Sequence, residues 1–367
     1  MKTDSRVTIP LGSFHLSGGI KVLVLIANGM AREGRQVRFI APDYAAVSPF
    51  PLDPRIHVLV LASGPAWLPP WSRKLLYYLK LSTTATRDAD LCLANYYLTA
   101  YCALFSRLLR RTKTQILWYV QGYEAGSHGL LADAGPISRI VRYLMARLSY
   151  RLPVSIFCVS QWAKERIGRT DAQVVHPPAL DLTVFRPDGR TGQTGGRIVI
   201  GTIGRQGGTK GYGDFLQALE KLPGTEGFRV LVASPIPNEV PLPGRFPAEA
   251  VCAQSPQAMA DFYRRCDLFV LPSRMEGFPL PGLESMACGC AFVTTACGGV
   301  SEYVVPGVNA LVVPVQAPQE LADALQTLAH DSALRQQLSK EGVATSKQFG
   351  QEAMVRHFLQ RMEASSA

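Results

Sequence analysis

The chain of 367 residues carries 38 Lys and Arg against 28 Asp and Glu, a formal net charge of +10, with 47% hydrophobic and 18% charged residues. That is an ordinary globular composition, and the length calls for two or three cores rather than one. No run of apolar residues is long enough to span a bilayer, and the polar opening MKTDSRVTIP does not read as a secretory signal.

The charge is uneven. Up to Asp188 there are 23 Lys and Arg against 12 Asp and Glu, whereas the remainder has 15 against 16. A basic first half attracts anions, acidic polymers or anionic lipid. No zinc-finger spacing or basic-aromatic strand pattern points to nucleic acid. The eight cysteines are dispersed. Cys92, Cys102, Cys158 and Cys266 sit in apolar runs and read as small buried hydrophobes of a reducing compartment. Cys288, Cys290 and Cys297 lack a fourth partner for a metal, so no metal site is expected.

In chain order, Val7 to Pro10 is an apolar strand. Gly18 and Gly19 then read as a tight turn before a helix from Val22 to Arg32, which stops near Gly34. QVRFIAP and IHVLVLA are strands, and DLCLAN, TQILWYVQG and VSIFCVS add three more. Helical patterns run from Leu98 to Leu109 and from Ile137 to Leu152. Strand, glycine turn, helix, strand opens a doubly wound sheet, although the dinucleotide fingerprint G-x-G-x-x-G is absent. Two stretches, WSRKLLYYLK and ISRIVRYLMARLSYRL, mix cations with large apolar residues at helical spacing, a pattern that suits an anionic membrane surface.

A seam follows at HPPALDLTVFRPDGRTGQTGG, with a polar glycine-rich linker from Asp188 to Gly196. The strand-helix rhythm then restarts. RIVIGTIG, FRVLVAS, DLFVLP, CAFVTT and ALVVP are strands. GYGDFLQALEKL, AMADFYRRC, PQELADALQTLAHD and the final QEAMVRHFLQRMEA are helices. The domains expected are residues 1–188, residues 189–346 and a terminal helix over 347–367. A ligand would bind between the first two.

Two segments of the second half carry chemistry. SRMEGFPLPGLESMACGC follows a buried strand, so Glu276 falls in a loop and Glu284 in or just after the first turn of a helix that starts near Pro281 and Gly282. The N–H groups of a helix start favour an anion. IGTIGRQGGTKGYGDF places Arg205 and Lys210 in a glycine-rich strand-to-helix loop, where two cations suit a diphosphate. Carboxylates accept hydrogen bonds from hydroxyls. A phosphate flanked by hydroxyl-rich groups describes a nucleotide sugar.

These residues resemble the retaining glycosyltransferases of family 4. The resemblance lies in SRMEGFPLPGLESMACGCAFVTTACGGVSEYVVPGVNALVVP, with its E-x7-E spacing, in IGRQGGTKGYGDFLQAL, and in LSGGIKVLVLIANGMAREGRQVRFIAP. It implies the α/β fold called GT-B, two Rossmann-like domains facing each other across a cleft. The first half would hold the acceptor, the second the donor, and the terminal helix would cross back to the first domain. By position, Gly204, Arg205 and Lys210 would serve the donor diphosphate, and Glu276 the hydroxyls of the transferred sugar. Gly277, Phe278 and Leu280 would frame sugar and phosphates through backbone groups, and Glu284 would accept from the ribose. Gly18 and Gly19 would let the first domain approach the donor phosphate. Arg205, Lys210 and Glu276 are the expected catalytic groups, with no cofactor and no metal.

The implied reaction moves a sugar with retention from a UDP- or GDP-linked donor to a cell-envelope glycan, lipid or small molecule. The cytoplasm, with peripheral contact to the inner face of the plasma membrane, is the expected place. Two departures stand out. Gln121 occupies the place where many family members have a histidine, with His128 seven residues on. His176 and Pro178 alter the loop in which Asp181 and Phe185 keep their places. Gln121 keeps open a non-catalytic nucleotide-sugar-binding subunit of a glycan assembly complex. A GT-B epimerase or hydrolase is the other rival.

Overall fold

The computed structural model describes residues 5–130, 135–188, 196–205, 208–224, 227–236 and 239–365. The chain divides into two compact units. One comprises the residues up to Gly129, Gly135–Pro178 and Glu352 onward, and the other Ala179–Gln351.

The first unit contains β1 (Arg6–Pro10), α1 (Gly18–Arg32), β2 (Gln36–Pro42), β3 (His57–Leu61), α2 (Pro70–Thr84), β4 (Leu91–Ala94) and α3 (Tyr97–Arg110). It continues with β5 (Gln115–Val120), α4 (Glu124–Leu130), α5 (Pro136–Ser149), β6 (Ser155–Cys158), α6 (Gln161–Ile167) and β7 (Gln173–Val174). The strands form one sheet in the order β3-β2-β1-β4-β5-β6-β7, and every pair is parallel. Such a sheet is covered on both faces, and accordingly β4 and β5 are almost wholly buried.

Gly18 and Gly19 are corrected here: they are the first two residues of α1 and not a turn before it. Ser17 caps the helix by accepting from the Ile20 N–H. The first N–H groups of a helix have no intrahelical partner, so glycine costs little there.

The second unit contains β8 (Ile198–Ile203), α7 (Tyr212–Glu220), β9 (Phe228–Ser234), β10 (Ala248–Cys252), α8 (Pro256–Arg264), β11 (Leu268–Leu271) and α9 (Leu280–Ala287). It ends with β12 (Ala291–Thr295), β13 (Leu311–Val313), α10 (Pro318–His330) and α11 (Ser332–Ser346). Its sheet, β10-β9-β8-β11-β12-β13, is also all parallel. One core built on Phe215, Val230, Leu268, Val293 and Leu325 underlies it.

The first unit closes at Pro178, ahead of the polar seam, of which residues 189–195 lie outside the described part. Residues 179–188 belong to the second unit because they pack on α8. Phe185 lies 6.4 Å from the Tyr263 ring, and Arg264 donates to the carbonyls of Val184 and Arg186.

The last helix, α12 (Gln351–Ala364), lies with the first unit from Glu352 on. Phe358 meets Tyr119 and Phe157 edge-on at 5.1 and 5.6 Å, and Glu363 pairs with Arg35. A Cβ at Gly29 of α1 would come within 2.3 Å of Val355, so glycine is what admits this helix.

Candidate functional site

In the second unit the strand order reverses between β8 and β11, and ligands of open parallel sheets bind beyond the strand ends at such a point. The two loops that leave these strands are those singled out from sequence. Lys210, from the loop after β8, donates to Glu276 Oε1 at 2.8 Å. Ser273, from the loop after β11, donates to the same oxygen at 2.8 Å. The two side chains of the ion pair are 32% and 16% exposed, so the pair is shielded without being closed off.

Three further features hold this geometry. Arg274 grips Asp214 of α7 with two hydrogen bonds of 2.9 and 2.8 Å, while its own amide donates to the Thr209 carbonyl at 2.8 Å. That bidentate fork ties the two loops together. Gly211, with φ +65°, passes so close to the Pro272 carbonyl that a Cβ would stand 1.8 Å from its oxygen. Beyond β12, the chain lies against the Glu276 segment. The Glu276 amide donates to the Cys297 carbonyl at 2.7 Å, and the Gly299 amide donates to the Glu276 carbonyl at 2.9 Å. A Cβ at Gly299 would fall 1.7 Å from the Gly277 oxygen.

The other predicted residues fall as follows. Arg205 is exposed just beyond β8 and has no ion pair among the described residues. Gly204 uses its amide at the end of the β8–β9 pairing, donating to the Ala233 carbonyl, and a Cβ there would collide with Val240 and Val232. Packing is thus sufficient reason for glycine at 204. The amides of Gly277 and Leu280 donate to no described residue, and Pro279 and Pro281 have none to offer. They lie at the start of α9, where free N–H groups and the helix dipole favour an anion. The Phe278 ring packs against Tyr303 and Phe349, so its side chain belongs to the core. Glu284 opens the second turn of α9, is 7% exposed, and accepts from the hydroxyl of buried Tyr263 at 3.2 Å.

Cys288, Cys290 and Cys297 are buried, and burial pushes the Cys288 and Cys297 thiols up to about 12. Among the described residues no group of three or more His, Cys, Asp or Glu gathers as metal ligands would.

The first unit has its own crevice, where the order reverses between β1 and β4. Gly19 abuts Gln121 beyond β5: a Cβ on the glycine would lie 2.9 Å from Gln121 Oε1. The His128 side chain lies outside the described residues.

One group here escaped sequence reasoning. Glu124, at the start of α4, accepts from the Tyr97 amide at 2.9 Å amid Tyr78, Tyr96, Tyr97 and Tyr150. Loss of water around the carboxyl pushes its pKa up to about 8, against the smaller opposing effect of the Tyr97 hydrogen bond. The neutral acid is therefore favoured by the fold. The stability it contributes is whole below about 4.5, the ordinary value, and is lost as pH rises through about 8. Thermal melts of Glu124→Gln are expected to change less between pH 5 and pH 9 than those of the unaltered chain. Parallel curves would mean that the carboxyl is as well hydrated folded as unfolded.

Residues 16–183 match the family model described as Glycosyltransferase Family 4, and residues 197–331 match that described as Glycosyl transferases group 1. The chain is thus similar to glycosyltransferases of family 4 in its first half and to those of group 1 in its second. Among curated relatives, a D-inositol 3-phosphate glycosyltransferase of Xylanimonas cellulosilytica is 30% identical over 210 residues, 50% of this chain and 50% of that protein. The N,N'-diacetylbacillosaminyl-diphospho-undecaprenol alpha-1,3-N-acetylgalactosaminyltransferase of Campylobacter jejuni is 31% identical over 101 residues, 28% of this chain and 27% of that protein. The chain spans half or less of the length of the curated relatives it matches.

Solved structures match over nearly the whole chain. Sucrose-phosphate synthase from Thermosynechococcus elongatus superposes with a TM-score of 0.81 at 18% identity, covering 99% of this chain and 100% of that one. Anabaena HepE in complex with UDP-glucose gives 0.72 at 17% identity, covering 98% and 100%. At these identities the likeness establishes the fold. The chain has the GT-B fold, built of two parallel-sheet α/β units.

Proposed function

We propose that this protein transfers a sugar from a nucleoside-diphosphate sugar, UDP- or GDP-linked, to a glycan, lipid-linked or small-molecule acceptor, with retention at the anomeric carbon. The observation that carries the reading is the meeting of Lys210 and Glu276 at the β8/β11 reversal. A cation for phosphate and a carboxylate for hydroxyls stand within one hydrogen bond of each other. Ser273 fixes the same carboxylate oxygen, and the amides of Gly277 and Leu280, which donate to no described residue, follow close by in the chain. The structure of HepE in complex with UDP-glucose supports a nucleotide-sugar donor. The acceptor named for the Campylobacter relative supports a lipid-linked class.

Breaking the bond to the sugar leaves negative charge on the diphosphate. In this reading Lys210, Arg205 and the start of α9 stabilise that charge in place, the kind of preorganised field that lowers a barrier most. These positive groups do the work of a divalent metal, so transfer is expected to persist in a chelator. Glu276 orients hydroxyls of the sugar. The departing phosphate oxygen takes the acceptor proton on the face from which it leaves. The test is a screen of nucleotide sugars, with cell-envelope lipid extracts as acceptor source, for release of free nucleoside diphosphate. No release from any donor would favour a binding subunit.

The two carboxylates are expected to separate in binding. Glu284→Gln should weaken a bare nucleoside diphosphate as much as the full donor, because its partner would be the ribose. Glu276→Gln should spare the bare nucleotide and weaken only the donor that carries a sugar. Calorimetric titration of both ligands into both variants decides this, and equal loss of the bare nucleotide would refute the division.

A further inference from the structure

Three helices of the first unit are built inside out. Among the described residues, α5 buries only Ala146 and Ser149, and α2 only Tyr77 and Leu81. The buried residues of α3 include Ala100, Cys102, Ala103 and Ser106. Many of their large apolar side chains point the other way, although Tyr77, Leu81 and Tyr97 are buried. Trp71 and Leu75 of α2, Phe105 and Leu108 of α3, and Ile137 and Leu144 of α5 are all exposed, Ile137 to 78% and Trp71 to 70%. A surface helix in water shows the opposite arrangement, and isolated exposed leucines would need no explanation whereas a continuous field of them does.

The field is continuous because the three helices form one layer. Each of α2, α3 and α5 lies in a connection that steps the same way along the sheet, β3 to β4, β4 to β5 and β5 to β6. Right-handed crossovers place all three on one face. Side chains knit them: Ser82 donates to Cys102 Sγ at 3.2 Å, and the Tyr101 hydroxyl donates to the Met145 carbonyl at 3.0 Å. Over their whole length the three helices hold eight Lys and Arg and no Asp or Glu.

We propose that the outer face of the α2–α3–α5 layer docks on an anionic lipid bilayer, its apolar side chains entering the acyl boundary and its cations meeting the phosphate headgroups. Charge decides between occupants. A second copy of this chain would bring like charges face to face, whereas anionic headgroups complement the seven cations that carry no ion pair among the described residues, Arg73 being already paired with Asp43. Long Arg side chains can reach headgroups while their stems lie along apolar surface. The inference does not depend on the transferase reading, and its test reads no catalysis.

The full chain is sedimented with vesicles of phosphatidylcholine containing phosphatidylglycerol, and with phosphatidylcholine alone, at low and high salt. Binding to the anionic vesicles that weakens with salt is expected, since exposed charges are screened over roughly 10 Å. Changing Arg139, Arg142 and Arg147 together to Gln should lower that partition about a hundredfold. Changing Phe105 and Leu108 to Ser should lower it as well, without lowering the melting temperature, because both side chains are exposed. The proposal is overturned if the unaltered chain stays in the supernatant with anionic vesicles at low salt, or if both variants bind as it does. Light scattering without lipid that finds a dimer, made monomeric by Leu108→Ser, would also overturn it in favour of a second copy.

Discussion

Replacing Lys210 with Ala is expected to lower transfer by about 10²-fold or more, the scale of losing one charge-stabilising donor in a transition state. Two consequences should follow from its place. Lys210 donates to Glu276, the only carboxylate it meets among the described residues, so its removal also releases the group assigned to the sugar. The double change with Glu276→Gln should therefore cost less than the sum of the single changes, as groups in one network do. Among the described residues Arg205 has no such partner, and Arg205→Ala is expected to reach a similar loss by charge alone. Both side chains are partly or wholly exposed, so melting temperatures should hardly move. Transfer within threefold of the unaltered protein in both variants would refute the clamp.

A methyl group at Gly211 is expected to do more structural damage than any charge removal in the site. The position has a left-handed φ of +65°, and the added Cβ would stand 1.8 Å from the Pro272 carbonyl oxygen, which cannot swing aside as a side-chain end would. Gly211→Ala should cost more than about 1 kcal/mol, roughly 2–4 °C of melting temperature for each kcal/mol in a unit of this size. Donor binding should fall with it, because the loop of Lys210 and the strand end before Glu276 would be pushed apart. Gly213, two residues on in α7, is the matched control. Nothing lies within 4 Å of a Cβ there, so Gly213→Ala should stabilise by about 0.5–1 kcal/mol. Equal melting temperatures for the two variants would show that the contact at Gly211 can relax.

Most strands were legible because buried parallel strands are short unbroken apolar runs. LFVL and AFVTT could be little else, and β11 spans the predicted Leu268–Leu271. The final helix follows from periodicity: the stretch QEAMVRHFLQRMEA is α12, which begins four residues inside the 347–367 segment expected for it. The elements that escaped were those without an apolar signature. β10, at the sheet edge, reads AEAVC and is only half-buried, and α11 carries almost no apolar stripe. The glycine pair at 18 and 19 was misread because a glycine doublet signals a turn, and nothing local reveals that Ser17 caps a helix there.

Of the candidate site, residue types and loop positions were set by the sequence. Cations in a glycine-rich loop and carboxylates after a buried strand name phosphate and hydroxyl chemistry wherever they fold. Which groups meet was decided only by the tertiary structure. Lys210 and Glu276 are 66 residues apart and are joined by the adjacency of β8 and β11 in the sheet. The Arg274–Asp214 fork and the contact of Gly299 with the Glu276 segment arise the same way. So does the Glu124 carboxyl, whose shift depends on burial among tyrosines of three other elements. Propensity and pattern act over a few neighbouring residues, whereas burial, pairing and field are sums over whatever the fold brings near.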